Sequence, residues 1–536
     1  MKLLRLIAVL LTLGALSATA RAQAARPTGL TAAIVPFENR SNAPGLEWVG
    51  ESFPEFLEER LASPGIYVLS REDRLRACDR MGIPVGLNPS RATIYRIAEQ
   101  IDADLVVLGY YSFDGRVFTA VAQLLDMRRE HLSAEMTESG SLTQLIAIQN
   151  ALAWDLVRAL RPDFRISKQD YVAAAPVIRL DAFENYVRGV TALNAQDEIQ
   201  HFREALRIDP AYPEALLRLG KTYYRQRQYD QAVSVLARIK PADPLAREAS
   251  FYLGLSAYYQ GDFAKAENAF SFVAARLPLP EVYNNLGVAQ SRRSEKSALE
   301  SFQRASETDP NDPDYHFNLG VALYRSGDLA GASRQLRQAL ALRPDDSEAQ
   351  SLLATIGGDA ASRSRPTPAS ASRYTLERIR ESYQENAFQE LAFNLNEAAE
   401  QRLGKTPPRT HAQYHVDRGQ QLLNQGFIAE AEKEFREAAA LDPGNAAAHA
   451  GLARALEIDE NAAGARTEAE TALRLKESAD AYLILARLDL RDNKPDAASA
   501  NVERALHLDP NNGPALRLKQ TVAAKLAEKA QPLPHP

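Results

Sequence analysis

Between Tyr315 and Pro344, YHFNLGVALYRSGDLAGASRQLRQALALRP, apolar positions recur at helical spacing in two successive runs broken at Gly327. The pattern predicts a helix carrying Leu319 and Gly320, a tight turn, and a second helix carrying Ala332, Leu336 and Ala339, with Pro344 at the exit. Small residues at Gly320, Ala332 and Ala339 let the two helices approach closely, Gly327 can take a positive φ, and Pro344 stops the second helix. One such hairpin cannot bury its apolar face alone, so neighbours must stack on it. The chain supplies them: exit prolines Pro210 and Pro244, and again Pro310 and Pro344, lie 34 residues apart. The small first-helix position recurs at Gly189, Gly220, Gly254, Gly287 and Gly320, which predicts about five repeats from Leu180 to Pro344 and a covering helix from Ser347 to Ile356.

The spacing and the small residues of this unit closely resemble a tetratricopeptide repeat. After an expected array over 180–356, residues 357–373 (GGDAASRSRPTPASASR) have almost no apolar side chain but alanine and read as a flexible linker. A helical segment is expected over 375–403, with Ile379, Tyr383, Phe388, Leu391, Phe393 and Leu395, ended by Pro407-Pro408. A second array over 410–529 then carries about three repeats and a covering helix. It matches at Gly419, Gly426, Ala431, Phe435 and Ala438, then at Leu452, Ala453, Ala465 and Ala472, then at Leu485, Ala486, Ala498, Ala505 and Pro510.

Ahead of the repeats the periodicity differs. Thr31–Phe37 reads as a strand ending in ENRSNAPG, and a helix with Trp48, Val49, Phe53, Phe56, Leu57 and Leu61 follows it. A strand over Ile66–Leu69, helices capped by Ser70 and Ser90, and a strand entered by DADLVVLGYY come next; Asp114-Gly115 signals a hairpin, and a helix over Leu142–Leu160 closes the unit. The expected fold class is therefore an α/β N-terminal domain (28–165) followed by an all-α superhelix in two arrays. The opening IVPFENRSN resembles the N-terminal domain of TolB and the FlgO or CsgG-like envelope domains, which implies a bacterial cell-envelope protein with a binding or assembly role and brings no catalytic residues. Pro36, Phe37 and Asn39 have a structural reading as strand exit, core plug and turn former.

Residues 1–22 stand apart: Lys2 and Arg5 precede an apolar run from Leu6 to Leu16 that ends in Ala20-Arg21-Ala22, the pattern of a cleavable secretory signal cut before Gln23. The apolar run is shorter than the ~20 residues a membrane span needs. Lys2, Arg5 and Arg21 are the charges lost with such a leader, so the formal charge moves from −6 to −9, and nothing in it attracts nucleic acid or anionic lipid. A periplasmic or secreted location is expected, with no membrane span after cleavage. The one cysteine, Cys78, excludes an intrachain disulfide and reads as an inert buried thiol.

Candidate chemistry is sparse. His411 and His415 share a helix face at a spacing that can hold a metal, but no third ligand stands nearby and no H-E-x-x-H pattern is present. No G-x-S-x-G, Walker loop or G-x-G-x-x-G occurs, so no catalytic, metal or cofactor site and no cofactor is expected. Stacked helix pairs instead present a concave groove, lined in the first array by Phe183, Tyr186, Lys221, Tyr224, Phe251, Tyr258, Asn284, Phe317, Tyr324 and Arg325. Such an aromatic lining with polar handles suits an extended peptide; the alternative is that individual rings pack between repeats. Where some tetratricopeptide domains grip a terminal carboxylate, this chain has Leu217, Lys221, Phe251, Leu255 and Asn285, so that clamp is absent. The expectation is a non-enzymatic secreted scaffold that binds protein or peptide partners, rigid within each array and mobile across 357–373. Alternatives are a polysaccharide-binding scaffold of an envelope export machine or, with the leader uncut, a membrane-attached assembly factor.

Overall fold

The computed structural model describes residues 30–41, 43–62, 66–84, 89–160, 164, 166–173, 175, 177–362, 378–390, 403 and 406–530. The expected leader, most of 357–373, the part of 375–403 bearing Leu391, Phe393 and Leu395, and the tail after Ala530 lie outside the described residues. The chain forms two compact units, one of residues 1–191 with 386–405, the other of 192–385 with 406–536.

The first unit is a seven-stranded mixed sheet with helices. Strand β1 (Leu30–Ile34) pairs in parallel with β3 (Ile66–Val68) and β4 (Leu105–Phe113), because helices α1 (Glu47–Leu61), α2 (Arg71–Arg80) and α3 (Arg91–Gln100) supply the crossovers. The short β2 (Glu38–Asn39) also joins β4; β4 then turns back into β5 (Phe118–Asp126), which pairs with β6 (His131–Leu132) and β7 (Met136–Gly140). At the hairpin the Asp114 carboxylate accepts from the amides of Arg116 and Val117 at 2.8 and 2.7 Å, and Gly115 takes φ +94°. The Ser70 and Ser90 caps form as expected, Ser70 as a reciprocal capping box with Asp73.

Phe37 is buried and stacks on Phe53 with ring centroids 3.9 Å apart, in a file that continues through Tyr111 and Phe118. The Asn39 side chain closes the following turn by accepting from the amide and hydroxyl of Ser41. Cys78 is only half-buried, and burial pushes its thiol up from the ordinary value. Helices α4 (Leu145–Leu160), α5 (Lys168–Ala173) and α6 (Leu180–Thr191) complete the unit.

Helix α6 corrects the expected first repeat. Its apolar face packs on α1, where Phe183 meets Trp48 and Phe56 edge-on and the Tyr186 hydroxyl donates to Glu55 at 2.8 Å. A large aromatic cluster was available in the sheet domain, and burial there outweighs repeat pairing.

The second unit is all helical. Its first array comprises α7 (Ala195–Ile208), α8 (Pro213–Arg225), α9 (Tyr229–Leu236), α10 (Ala246–Gln260), α11 (Phe263–Ala274), α12 (Pro280–Arg292), α13 (Ala298–Thr308), α14 (Pro313–Ser326), α15 (Leu329–Leu342) and α16 (Ser347–Ser362). Prolines at the first turn and Asp or Asn caps start many of them. Gly327 has φ +90° as its turn requires, yet Arg227 and Ser294 hold the same left-handed bend at +57° and +61° without a glycine. Helix α16 runs past the expected linker start at Gly357, because Ala360 and Ala361 recover the helix propensity that two glycines lose.

The second array comprises α17 (Pro408–Gln425), α18 (Ile428–Leu441), α19 (Ala446–Ile458), α20 (Ala462–Leu475), α21 (Ala479–Arg491), α22 (Pro495–Leu508) and α23 (Gly513–Ala530). It touches the first array, while most of the expected linker lies outside the described residues. The Ile428 amide donates to the Arg276 carbonyl at 3.1 Å, and the buried Arg276 guanidinium donates to the Ile458 carbonyl and pairs with Asp459 and Glu460. Removing that guanidinium would leave the part-buried Ile458 carbonyl without this partner.

Candidate functional site

Residues 378–384, expected to be helical, have no regular secondary structure. They run extended along the inner face of the first array, and the reason lies in where their backbone groups go. Asn285 makes a two-way pairing with Arg380, donating to its carbonyl at 2.7 Å and accepting from its amide at 2.8 Å. Asn284 and Asn318 both donate to the Arg378 carbonyl, at 2.8 and 3.1 Å, and Asn318 also donates to the Asn284 side-chain oxygen. Further along, the Gln384 amide donates to the buried Glu281 carboxylate at 2.8 Å. These side chains replace the intrahelical bonds that the segment gives up.

Side chains of the segment are gripped as well. The Arg378 guanidinium lies 3.3 Å from the Phe317 ring centroid and pairs with both oxygens of Asp346 at 2.6 and 2.9 Å, with Glu348 and Asp314 alongside. Arg380 pairs with Asp312 and Asp314 over the Tyr315 ring. At the other end Tyr383 meets Phe251 at 4.9 Å, Glu385 pairs with Arg247, and the Glu381 carboxylate accepts from the Tyr259 hydroxyl. The groove is therefore acidic where it holds two arginines, and at the other end a single guanidinium, Arg247, receives the glutamate.

The titrations follow from this packing. Burial acts to raise the Asp346 carboxyl, but hydrogen bonds from the Arg378 guanidinium and the Ala349 amide more than offset it and hold it below the ordinary carboxylate range. Burial dominates at Glu281 and pushes that carboxyl up, despite the Gln384 amide that stabilises its charge. Burial opposes the charge on Arg247, and the Glu385 carboxylate overcomes it, raising the guanidinium further.

Of the ten residues expected to line a groove, Phe251, Asn284 and Phe317 touch the segment directly. Tyr224 joins a ring cluster with Tyr229, Tyr252 and Tyr259 beside Glu381. Lys221 pairs with Glu248 at 2.6 Å, Tyr258 packs on Tyr259 and Phe263, Tyr324 is fully buried, and the Arg325 guanidinium reaches the Ser291 hydroxyl. Phe183 and Tyr186 lie in the other unit, against Trp48, Phe56 and Glu55. Sequence reasoning missed Asn285 as a main-chain grip, together with Asn318, Glu281 and the aspartates at 312, 314 and 346. The signal was present: Asn284 and Asn318 stand one repeat length apart, and the acids cluster where first helices begin.

His415 is buried, with Nδ1 2.7 Å from Glu434, and its ring stacks on His411. His316 and His449 make the corresponding contacts to Gln335 and Glu468, so this histidine ties the two helices of a repeat together. Among the described residues no group of three or more potential ligands could hold a metal ion.

Models of the tetratricopeptide repeat match this chain over residues 194–250 and 295–356, and over 251–313 and 416–482. The helix pairs within those residues are therefore tetratricopeptide repeats. A curated relative, tetratricopeptide repeat protein 8 of Caenorhabditis elegans, is 28% identical over 157 residues, 28% of this chain and 30% of that protein's length. Among solved structures, the first tetratricopeptide domain of human RPAP3 is 25% identical, with 23% of this chain and 96% of that domain covered and a TM-score of 0.22. MamA from Desulfovibrio magneticus RS-1 is 22% identical over 32% of this chain and all of that one, at a TM-score of 0.30.

Proposed function

We propose that this protein is a non-enzymatic scaffold of the bacterial cell envelope, periplasmic or secreted after loss of residues 1–22, whose first array binds an extended peptide segment of a protein partner. The observation that carries this reading is the seating of residues 378–385 in the groove through main-chain bonds to Asn284, Asn285 and Asn318. Side chains that pair with amides and carbonyls recognise a polypeptide whatever its sequence, and a polysaccharide has no such backbone. The faces of Phe251 and Phe317 are likewise engaged by a tyrosine and an arginine, a peptide's groups. The envelope location rests on the leader pattern and the IVPFENRSN resemblance.

A peptide array probed with the full chain tests the binding. Asn285→Ala should lose most of the signal on the peptides that the parent binds. Equal signals would overturn the groove reading. N-terminal sequencing of the exported protein checks the location, with Gln23 as the expected first residue.

A further inference from the structure

We propose that residues 378–385, RIRESYQE, are a built-in occupant of this groove, and that the partner's peptide displaces them by carrying the same pattern: basic at the first and third positions, aromatic at the sixth, acidic at the eighth. The inference rests on the peptide reading above and adds who competes and what is read.

Each position of the pattern has a counterpart. Two arginines face Asp312, Asp314 and Asp346, of which Asp314 is shared with the array's own Arg343, and Phe317 offers its ring to the first of them. The sixth side chain meets Phe251 and the eighth meets Arg247. Ser382 is exposed, so the fifth position is free to vary.

Two features mark the built-in segment as a ligand that can be displaced. Its fit is incomplete: among the described residues, the buried Asn318 Oδ1 has no hydrogen-bond partner. Its hold also depends on attachment, since only residues 363–377 separate it from α16, and a tether of that length supplies a high effective concentration in place of affinity.

A fluorescein-labelled RIRESYQE peptide titrated into the full-length protein, with anisotropy as readout, tests the proposal. Arg378→Ala/Arg380→Ala in the protein should strengthen peptide binding about tenfold or more, because the internal competitor loses its ion pairs. A labelled peptide with both arginines replaced by alanine should bind neither protein, a control that leaves the protein's folding untouched. In the parent, excess peptide should speed hydrogen exchange at the Arg380 and Gln384 amides. Equal affinity for parent and double variant, with unchanged exchange, overturns the internal-occupant claim. If the double variant binds peptides lacking the pattern in an Asn285-dependent way and ignores RIRESYQE, the pattern falls while the peptide groove stands. If it binds no peptide at all, both fall.

Discussion

The two arrays share a backbone plan and differ in what their first helices present. Three residues before the small position, the first array has Phe251, Asn284 and Phe317, and the second has Val416, Ala450 and Leu483. One residue further on, Tyr252, Asn285 and Asn318 stand against Asp417, Gly451 and Ile484. The first set grips a polypeptide by its backbone and rings; the second holds neither an amide ladder nor an aromatic floor. The helix contacts, by contrast, vary from repeat to repeat and not by array: Gly254 faces Phe270, Gly320 faces Leu336 and, in the second array, Gly419 faces Phe435, whereas the next repeat places alanine at both positions, Ala453 and Ala469. The same repeat can thus be tuned for recognition or for packing by changing a few inner-face positions.

The largest test of the contrast is Phe435→Ala. This ring is buried between Gly419 and Gly451 and anchors the second array, so its loss should cost about 3–5 kcal/mol. Hydrogen exchange should accelerate over Ile428–Ile458 while the Arg380 amide stays protected; parallel loss at both would show that the arrays do not differ in role. Gly254→Ala comes next, since a Cβ there would sit 2.7 Å from the Phe270 ring, and should cost about 1–3 kcal/mol in denaturant melts. Adding Phe270→Leu should recover part of it, moving this repeat toward the small-on-small pairing of Ala453 and Ala469.

A pH effect sharpens the comparison further. A carboxyl depressed in the closed groove, as Asp346 is, contributes fully above its free value near ~4, and that contribution is lost as pH falls through the lowered one. Protection of the Arg380 amide should therefore decline on acidification below about pH 4. Asp346→Asn should weaken the segment already at neutral pH and remove that acid-dependent step. The smallest effect is expected for Arg304→Ala, whose pair with Glu300 one turn away is 53% and 68% exposed; its cost should stay below about 0.5 kcal/mol in thermal melts. A cost as large as that of Gly254→Ala would show that surface ion pairs, and not helix packing, hold the first array.

The repeats were legible because their signals are local: a glycine or alanine at a fixed place, a proline at the exit and apolar residues at helical spacing describe one hairpin wherever it sits. The α/β order and the Ser70, Ser90 and Asp114-Gly115 signals were readable for the same reason. The groove was read in part. Phe251, Asn284 and Phe317 could be placed on an inner face by periodicity, whereas Phe183 and Tyr186, with the same periodicity, were claimed by Trp48 and Phe56 of the sheet domain.

What the sequence determined by itself was most of the inventory: which stretches form the repeat helices from Ala195 onward, how long those repeats run and some of the residues that point inward. What only the tertiary structure decided was how residues 378–384 would lie. Ile379 and Tyr383 have helical spacing, and nothing local forbids a helix there. The choice is made by Asn284, Asn285 and Asn318, distant in the chain, which offer its amides and carbonyls partners outside the segment and offer Arg378 and Arg380 a carboxylate cluster to enter. Local propensity is worth tenths of a kcal/mol per residue, while a set of buried main-chain bonds and ion pairs is worth several times that, so the long-range term prevails.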